Sequence, residues 1–322
     1  MIVTYSRNVF IPLTRNCRNR CKYCGFRRDE LDLMSPSDVQ KLIRMAKNAK
    51  EALFTFGERP EFRKDFLEML RSYGYSNFIE YVASMNLLAI KNGFLPHTNA
   101  GVLSYEELKY LKPFNASMGL MLEQAVELEC HSESPGKRPE IRINMIKDAG
   151  KLQIPFTTGI LVGIGEKKYD REYSLEVIAD LYKNYGHIQE VIIQRFLPKK
   201  GTEMENFETL SESELVEVVK IARKILPNEV AIQIPPNLVS DLKAYLKAGA
   251  NDLGGISEIT PDFINPEAPW PSINELQKII GDEFALKERL PIYPRFVKLK
   301  WWSEILDGLI ELYSDADGYA RT

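Results

Sequence analysis

The sequence predicts an α/β fold, a (β/α)8 TIM-type barrel with a C-terminal helical extension. Short β-type runs alternate with longer helical patterns along the whole chain, as strands and crossover helices do around a parallel sheet. The chain has 322 residues, a length that suits one large barrel or two ordinary domains. Because eight strand–helix units follow one another without a break, we expect one barrel.

Eight short apolar runs, most of them ending at glycine or polar residues, are the predicted strands. They cover residues 8–14, 51–58, 93–101, 115–122, 154–166, 188–196, 229–235 and 252–255. In a barrel of this type the chemistry lies at the carboxyl ends of the strands. Unusual residues follow several of these runs, so we expect a site at that end of the barrel.

Helices are predicted between the strands by apolar residues three and four positions apart. In the first helix, Val39, Leu42, Ile43 and Ala46 form such a stripe, and Ser37 is the predicted N-cap. The helical patterns cover residues 35–49, 61–73, 77–92, 104–111, 139–149, 171–185, 211–225, 237–248, 272–281 and 301–313. We assign residues 1–250 to the core barrel. Residues 251–322 are assigned to the last strand, a substrate-side loop and C-terminal helices packed on the same barrel.

The composition is that of a globular protein without a strong charge. There are 42 Lys and Arg against 45 Asp and Glu, a net charge of −3, so no electrostatic attraction to nucleic acid or an anionic membrane is expected. No apolar run approaches the roughly 18 to 20 residues of a membrane span, and the N-terminus lacks the pattern of a signal peptide. We therefore expect a cytoplasmic protein with neither a nucleic acid nor a membrane as partner.

Three of the four cysteines lie close together directly after the first predicted strand. Cys17, Cys21 and Cys24 have the spacing C-x3-C-x2-C, and Cys130 is distant. Three thiolates can hold three corners of a 4Fe–4S cluster and leave one iron open. A structural zinc site would need a fourth ligand nearby, and none is present. A ferredoxin-type electron carrier would need four cysteines in another spacing. We interpret Cys130 as an inert thiol.

The segment CRNRCKYCGF, with Tyr23 before the third cysteine, resembles the signature of the radical S-adenosylmethionine (SAM) superfamily. FTFGERPE resembles the superfamily's Gly-Gly-Glu-Pro element, which places Gly57 and Glu58 at the SAM amine; Phe56 replaces the first glycine and Arg59 intervenes before Pro60. TTGILVGIGE resembles the strand-five element beside the adenine, where Gly163 and Ile164 lie. The resemblance implies two cofactors, one 4Fe–4S cluster and SAM.

Three later segments resemble the CofG family, one subunit of 7,8-didemethyl-8-hydroxy-5-deazariboflavin (FO) synthase. They are residues 193–204 (IQRFLPKKGTEM), 232–238 (IQIPPNL) and 254–273 (GGISEITPDFINPEAPWPSI). The resemblance implies a lyase of deazaflavin biosynthesis. Such an enzyme converts the small-molecule adduct made by the CofH subunit into the deazaflavin, with loss of ammonia, through a 5′-deoxyadenosyl radical. It also implies a functional partnership with CofH and a one-electron reductant.

Further candidates follow from position and chemistry. Glu123, after the fourth strand, is a candidate for the SAM ribose or amine, and Arg142 for its carboxylate, which a guanidinium fork suits. The substrate candidates, polar residues near the strand ends, are His97, Gln194, Arg195, Asp252, Ser257, Thr260 and Asp262. No general base is assigned, because that role needs a hydrogen-bond distance to the substrate.

Two alternatives to the CofG interpretation remain open at the level of sequence. The first keeps the radical SAM core and changes the substrate, as in a CofH-like or menaquinone-pathway-like enzyme acting on another aromatic compound. The second is a non-catalytic iron–sulfur or zinc protein.

Overall fold

The computed structural model describes residues 1–321 and contains a closed barrel of eight parallel strands. They are β1 (Ile2–Ile11), β2 (Glu51–Thr55), β3 (Leu95–Asn99), β4 (Ser117–Gly119), β5 (Phe156–Val162), β6 (Ile188–Arg195), β7 (Ala231–Gln233) and β8 (Asp252–Ser257). Neighbouring strands pair in chain order, and the barrel closes because both β2 and β8 pair with β1. The predicted (β/α)8 barrel is confirmed.

Helices surround this barrel and bury their apolar stripes against it. They are α1 (Pro36–Met45), α2 (Lys64–Ser72), α3 (Phe78–Lys91), α4 (Tyr105–Leu111), α5 (Pro139–Lys151), α6 (Lys168–Tyr185), α7 (Glu212–Ile225), α8 (Leu242–Ala248), α9 (Ile273–Ile280), α10 (Pro294–Leu299) and α11 (Asp307–Tyr313). None of the helices in residues 1–321 combines the length and apolar character that crossing a membrane requires.

The first helix is capped by a different serine from the one predicted. Ser35, not Ser37, has the extended backbone of an N-cap, and its hydroxyl accepts the N–H of Asp38 at 3.2 Å. Pro36 then occupies the first helical position, where its fixed φ and missing N–H cost nothing. The cap is therefore set by the Ser35–Pro36 pair, a signal that the apolar stripe alone does not contain.

A ninth strand, β9 (Ala285–Glu288), was not predicted. It pairs in parallel with Ile2–Tyr5 of β1, below the part of β1 that pairs with β2. Its four residues, two apolar and two charged, are too few for a strand pattern to be recognised. The same residues explain why β1 begins at Ile2, well before the predicted start at residue 8: β9 and β8 together provide partners for the first half of β1.

The segment after β9 covers the amino-terminal end of the barrel. Leu290, Ile292 and Phe296 form an apolar cluster with Leu95 and other residues at the starts of the strands. The N–H of Arg289 donates to the carbonyl of Tyr5 at 2.8 Å, and the Arg289 side chain is buried. The C-terminal extension thus closes the bottom of the barrel and inserts one arginine there.

The barrel interior is polar, whereas barrels of this type are usually filled with branched apolar residues. Alternate residues of a strand share a face. On β1, Thr4 bonds to Asp252 and Ser6 to Glu51 inside the barrel, and Phe10 lines the central cavity. Asn8, between Ser6 and Phe10, lies on the same inner face. A cavity whose wall includes many polar side chains therefore replaces the packed centre.

Candidate active site

A cavity of about 390 Å³ extends from the loops after the strands into the polar barrel interior, a size typical of small-molecule sites. Loop residues of its wall include the three clustered cysteines, Phe56, Gly57 and Glu58. Interior residues of its wall include Glu51, Thr55, His97, Asn99, Thr157, Glu190, Gln194, Gln233 and Arg289. One cavity thus joins the cysteine loop to the barrel floor.

The cysteine loop follows β1, and all three of its thiols line the cavity. The Cys17 sulfur accepts the N–H of Glu58 at 3.2 Å, and the Ser134 hydroxyl donates to the Cys21 sulfur at 3.4 Å. Burial raises the pKa of Cys17 to about 11 and also raises the pKa of Cys21. The thiols of Cys17 and Cys21 therefore stay protonated until a metal displaces their protons, as metal binding to cysteine requires.

The donor set suits an iron–sulfur cluster, because three thiols line one cavity and thiolates are the usual ligands of such clusters. A structural zinc ion would need four ligands around a single centre. In a 4Fe–4S cluster each thiolate binds a separate iron. Cys130 does not line the cavity; it packs with Leu161, Phe196 and other apolar side chains. Burial raises its pKa to about 12.

Gly57 permits β2 to end directly against the cysteine loop. Its N–H donates to the carbonyl of Thr14 at 2.9 Å. A Cβ at this position would lie 2.0 Å from the Asn16 carbonyl oxygen and 2.9 Å from the Cys17 Cβ, closer than packed atoms approach. Glycine is therefore required here so that the end of β2 can hold the loop that carries the first cysteine.

Glu58 is a buried anion held in one position. Its carboxylate accepts from the Arg18 Nε at 2.9 Å and from the Val102 N–H at 3.0 Å. Burial alone would raise the pKa of Glu58, but the Arg142 guanidinium, together with these donors, lowers it overall. A Cβ at Gly101 or Gly136 would overlap the carboxylate. An ionised carboxylate in this setting is a suitable acceptor for an ammonium group.

Glu123, Lys137 and Arg142 form a charged wall next to Glu58. Glu123 has a left-handed backbone, with φ of 66°, a strained conformation that recurs at functional sites. Its carboxylate contacts the Lys137 ammonium and lies 3.8 Å from Arg142. Arg142 also donates to the carbonyls of Met121 at 2.6 Å and Gly136 at 2.9 Å. Lys137 was missed at the level of sequence because it lies in a loop without a motif.

Of the remaining cofactor candidates, one lines the cavity and two lie in the turn after β5, outside the cavity wall. Tyr23 lines the cavity, and its hydroxyl is 2.9 Å from the His131 Nε2. Gly163 and Ile164 do not line it; their N–H groups donate to the Glu166 carboxylate at 2.7 and 2.8 Å. The turn after β5 is thus organised by Glu166.

Four of the substrate candidates line the cavity: His97, Gln194, Arg195 and Asp262. Burial lowers the pKa of His97 to about 4, so its imidazole is neutral at pH 7. Arg195 points partly away and donates to Glu212 at 3.1 Å. Asp262 accepts the N–H groups of Ile264 and Asn265 and thereby organises the loop after β8.

The other three substrate candidates lie behind the cavity wall. Asp252 accepts two bonds from the Arg289 guanidinium, at 2.7 and 2.9 Å. Ser257 and Thr260 bond to each other at 2.7 Å, and Thr260 accepts the N–H of Phe10 at 3.0 Å. In this structure all three hold other residues in place.

The floor of the cavity contains functional candidates that sequence reasoning missed. Glu51 and Glu190 lie at or near the starts of β2 and β6, Gln233 ends β7, and Arg289 follows β9. The two glutamates were not predicted, because the expected site lay at the carboxyl ends of the strands. An available signal was a single acidic residue within an apolar run, as in IQEVIIQ, because a buried charge requires a partner.

Comparison with known proteins places the chain in a family. Residues 11–178 match the Radical SAM superfamily. The 7,8-didemethyl-8-hydroxy-5-deazariboflavin synthase of Archaeoglobus fulgidus is 67% identical over 321 residues, covering 99% of both chains. The protein of that name from Methanococcoides burtonii is 56% identical over 325 residues, covering 99% of this chain and 98% of its own.

Solved structures share the fold at low sequence identity. The FeFe-hydrogenase maturase HydG from Carboxydothermus hydrogenoformans aligns with a TM-score of 0.69 and 17% identity, covering 97% of this chain and 78% of its own. Methylornithine synthase (PylB) aligns with a TM-score of 0.65 and 19% identity, covering 87% and 80%. The full-length sequence matches go further: the chain belongs to the radical SAM superfamily and, within it, to the 7,8-didemethyl-8-hydroxy-5-deazariboflavin synthase family, the radical SAM enzymes of deazaflavin biosynthesis.

Proposed function

We propose that the protein is the CofG subunit of FO synthase, a carbon–nitrogen lyase. Its substrate is the CofH product, 5-amino-5-(4-hydroxybenzyl)-6-(D-ribitylimino)-5,6-dihydrouracil. The products are the deazaflavin FO and ammonia, and SAM takes up the two electrons that the ring closure releases as it is cleaved to 5′-deoxyadenosine and methionine. The observation that carries the proposal is the single cavity that joins three cysteine thiols to a polar barrel interior. Such a cavity accommodates a metal cofactor at its rim and a hydrogen-bonding substrate below it.

Cys17, Cys21 and Cys24 hold the 4Fe–4S cluster in this proposal, because their thiols share the cavity wall and thiolates are the usual cluster ligands. With SAM bound, the cluster would supply a 5′-deoxyadenosyl radical for hydrogen abstraction. Glu58 is the proposed acceptor of the SAM amine. Arg142 and Lys137 are the proposed partners of the SAM carboxylate. Tyr23, Glu123, Gly163 and Ile164 complete the proposed cofactor surroundings, the last two through the turn after β5.

The barrel interior positions the substrate and excludes water. Gln194, Asn99 and Thr157 present amides and a hydroxyl to the cavity, which suits a ligand with a polyol chain and a pyrimidinedione ring. Phe10, Leu161 and Trp270 provide apolar surface in the same cavity for a hydroxybenzyl group. CofH supplies the adduct and a one-electron reductant starts the reaction.

The test compares two cysteine variants after anaerobic reconstitution with iron and sulfide. Cys21→Ala is expected to lose cluster absorbance and the cleavage of SAM to 5′-deoxyadenosine, whereas Cys130→Ala keeps both, because Cys130 lies outside the cavity. SAM cleavage that survives in Cys21→Ala contradicts the proposal, as does one bound zinc without iron in the native protein.

The substrate is tested by supplying the wild-type protein with the CofH product, SAM and a reductant. Deazaflavin fluorescence together with one equivalent of ammonia is the expected result. SAM cleavage without deazaflavin would instead favour a radical SAM enzyme of the CofH or menaquinone-pathway type, acting on another aromatic substrate.

A further inference from the structure

The Gln233 side chain is a largely buried amide in the wall of the cavity. It is 9% exposed and lines the cavity, and it takes no part in the hydrogen bonds that join Arg289 to Asp252 and Thr157 to Glu190. Buried polar side chains are nearly always hydrogen-bonded. An amide that faces a cavity is satisfied when a ligand brings the complementary donor and acceptor.

The backbone of β8 keeps space for this amide. A Cβ at Gly254 would lie 2.2 Å from the Gln233 Nε2, and Gly254 has a left-handed φ of 73°. Next to it, a Cβ at Gly255 would lie 2.0 Å from the Nδ2 of Asn8. Neither amide atom of the Asn8 side chain has a partner. The Gly254–Gly255 pair therefore leaves room for the Gln233 and Asn8 amides.

The groups around Gln233 are already committed to one another. Arg289 is bound by Asp252 at 2.7 Å and by Glu190 at 3.3 Å. Thr157 donates to Glu190 at 2.9 Å, and Ser6 donates to Glu51. Gln233 lines the same cavity and takes no part in these bonds, so its N–H₂ and carbonyl oxygen are available to a ligand. That combination recognises a ligand edge that offers one N–H beside one carbonyl.

We propose that Gln233 recognises the imide edge of the pyrimidinedione ring, the N3–H and a flanking carbonyl, in the substrate and in the product. This inference rests on the proposed function and deepens it, because it assigns one part of the substrate to one side chain. The amide oxygen accepts the N3–H while the amide nitrogen donates to the ring carbonyl. The same pairing of glutamine with adenine is bidentate and specific in nucleic-acid recognition.

The orientation of the substrate follows from this contact. With the pyrimidinedione at the floor, the hydroxybenzyl group extends upward, toward the level of the cysteine loop. The floor carries the charged and amide groups Glu51, Glu190 and Gln233, while Phe10 and Trp270 line the cavity elsewhere. In this orientation the polar pyrimidinedione contacts polar side chains, and the hydroxybenzyl group contacts apolar ones.

The test measures equilibrium binding of the fluorescent product FO and of its N3-methyl derivative to cluster-loaded protein by anaerobic dialysis. Methylation removes the imide N–H and leaves the rest of the ring and the ribityl chain unchanged. For the wild type, N3-methylation is expected to weaken binding about 10- to 100-fold, the range of a bidentate amide pair. Gln233→Leu is expected to bind FO more weakly by a similar factor and to show no further loss for the methylated compound.

The control variant is Asn86→Leu, which removes a buried amide bonded to Thr98 outside the cavity. It should keep the wild-type preference for FO over the methylated compound. Equal binding of the two compounds by the wild type overturns the proposal without the need for any variant. An unchanged preference in Gln233→Leu also overturns it, because another group then reads the imide. These outcomes are separate from the proposed function, which fails when the wild type forms no deazaflavin from the CofH product.

Discussion

At the scale of single residues, Glu190 is the most unusual group in the barrel. It is buried among Arg289, Asp252 and Thr157. Burial raises its pKa to about 7, and the attraction of Arg289 only partly opposes this effect. A carboxyl group that titrates near neutrality next to a substrate cavity can both donate and accept a proton in the working pH range. The motifs of the superfamily give no hint of this residue.

Glu190→Gln should flatten the pH dependence of stability. Between the ordinary pKa of 4.5 and about 7, the unfolded wild type loses this proton while the folded state keeps it. The free energy of unfolding therefore falls as pH rises, by about 3 kcal/mol over the interval for this group. The glutamine variant cannot lose the proton and lacks this decrease. Urea unfolding at pH 5, 6, 7 and 8 measures the difference.

The matched control for this experiment is Glu217→Gln, on the exposed face of α7. The free energy of unfolding of Glu217→Gln should change with pH as that of the wild type does, unlike that of Glu190→Gln. Identical slopes for the wild type and Glu190→Gln between pH 5 and 7 would show that Glu190 is ionised throughout.

At the scale of elements, the end of β2 and the loop after β1 form one unit. Gly57 contacts Asn16, and the next residue, Glu58, bonds to Cys17 through its N–H. The Glu58 carbonyl also accepts the N–H of Arg18 at 2.9 Å. The positions of the loop cysteines therefore depend on the packing of a second strand end.

Gly57→Ala should displace the cysteine loop and lower cluster incorporation severalfold, because its Cβ would overlap the Asn16 carbonyl. Iron content after anaerobic reconstitution measures the effect, with circular dichroism as the check on folding. Gly308→Ala is the control, since a Cβ there meets nothing within 4 Å. A folded Gly57→Ala protein with full iron content would contradict this account.

The cap of α1 offers a second test at this scale. Ser35→Ala should lower the free energy of unfolding by about 1 kcal/mol, because the Asp38 N–H loses its side-chain acceptor, the Ser35 hydroxyl. Ser37→Ala should change it by less than about 0.5 kcal/mol, as for most exposed positions. Denaturant unfolding of both variants measures this difference, and a larger loss for Ser37→Ala would reverse the assignment.

At the scale of the whole molecule, the C-terminal extension is part of the barrel interior. β9 pairs with β1, and the residue after it, Arg289, binds Asp252 of β8 and Glu190 of β6 inside the barrel. The Arg289 side chain is 4% exposed. One arginine from the end of the chain thus compensates carboxylates on two distant strands, and the floor of the cavity is complete only when the extension is in place.

Arg289→Met should lower the free energy of unfolding by about 3–5 kcal/mol, the usual cost of leaving a buried carboxylate without its partner. Arg289→Met combined with Asp252→Asn should recover part of this loss, because the second change removes one unpaired charge. Arg295→Met, an exposed position on α10, is the control. Urea unfolding measures all three, and a loss below about 1 kcal/mol in Arg289→Met would contradict the role of this ion pair.

The sequence by itself determined the barrel, the cysteine motif and the family resemblance. These features depend on local information: the alternation of strands and helices, the spacing of Cys17, Cys21 and Cys24 within one loop, and short motifs such as that around Gly57. Each is read within a few consecutive residues, so no knowledge of distant contacts is needed. The comparison with relatives confirmed the family.

Only the tertiary structure decided the composition of the cavity floor. Glu51, Glu190, Gln233 and Arg289 are far apart along the chain and meet because the barrel closes and the C-terminal extension enters it from below. It also placed Asp252 behind the wall, bound to Arg289. Whether a polar residue faces a ligand or supports a neighbour depends on strand register and on what lies opposite, and both are fixed by long-range packing.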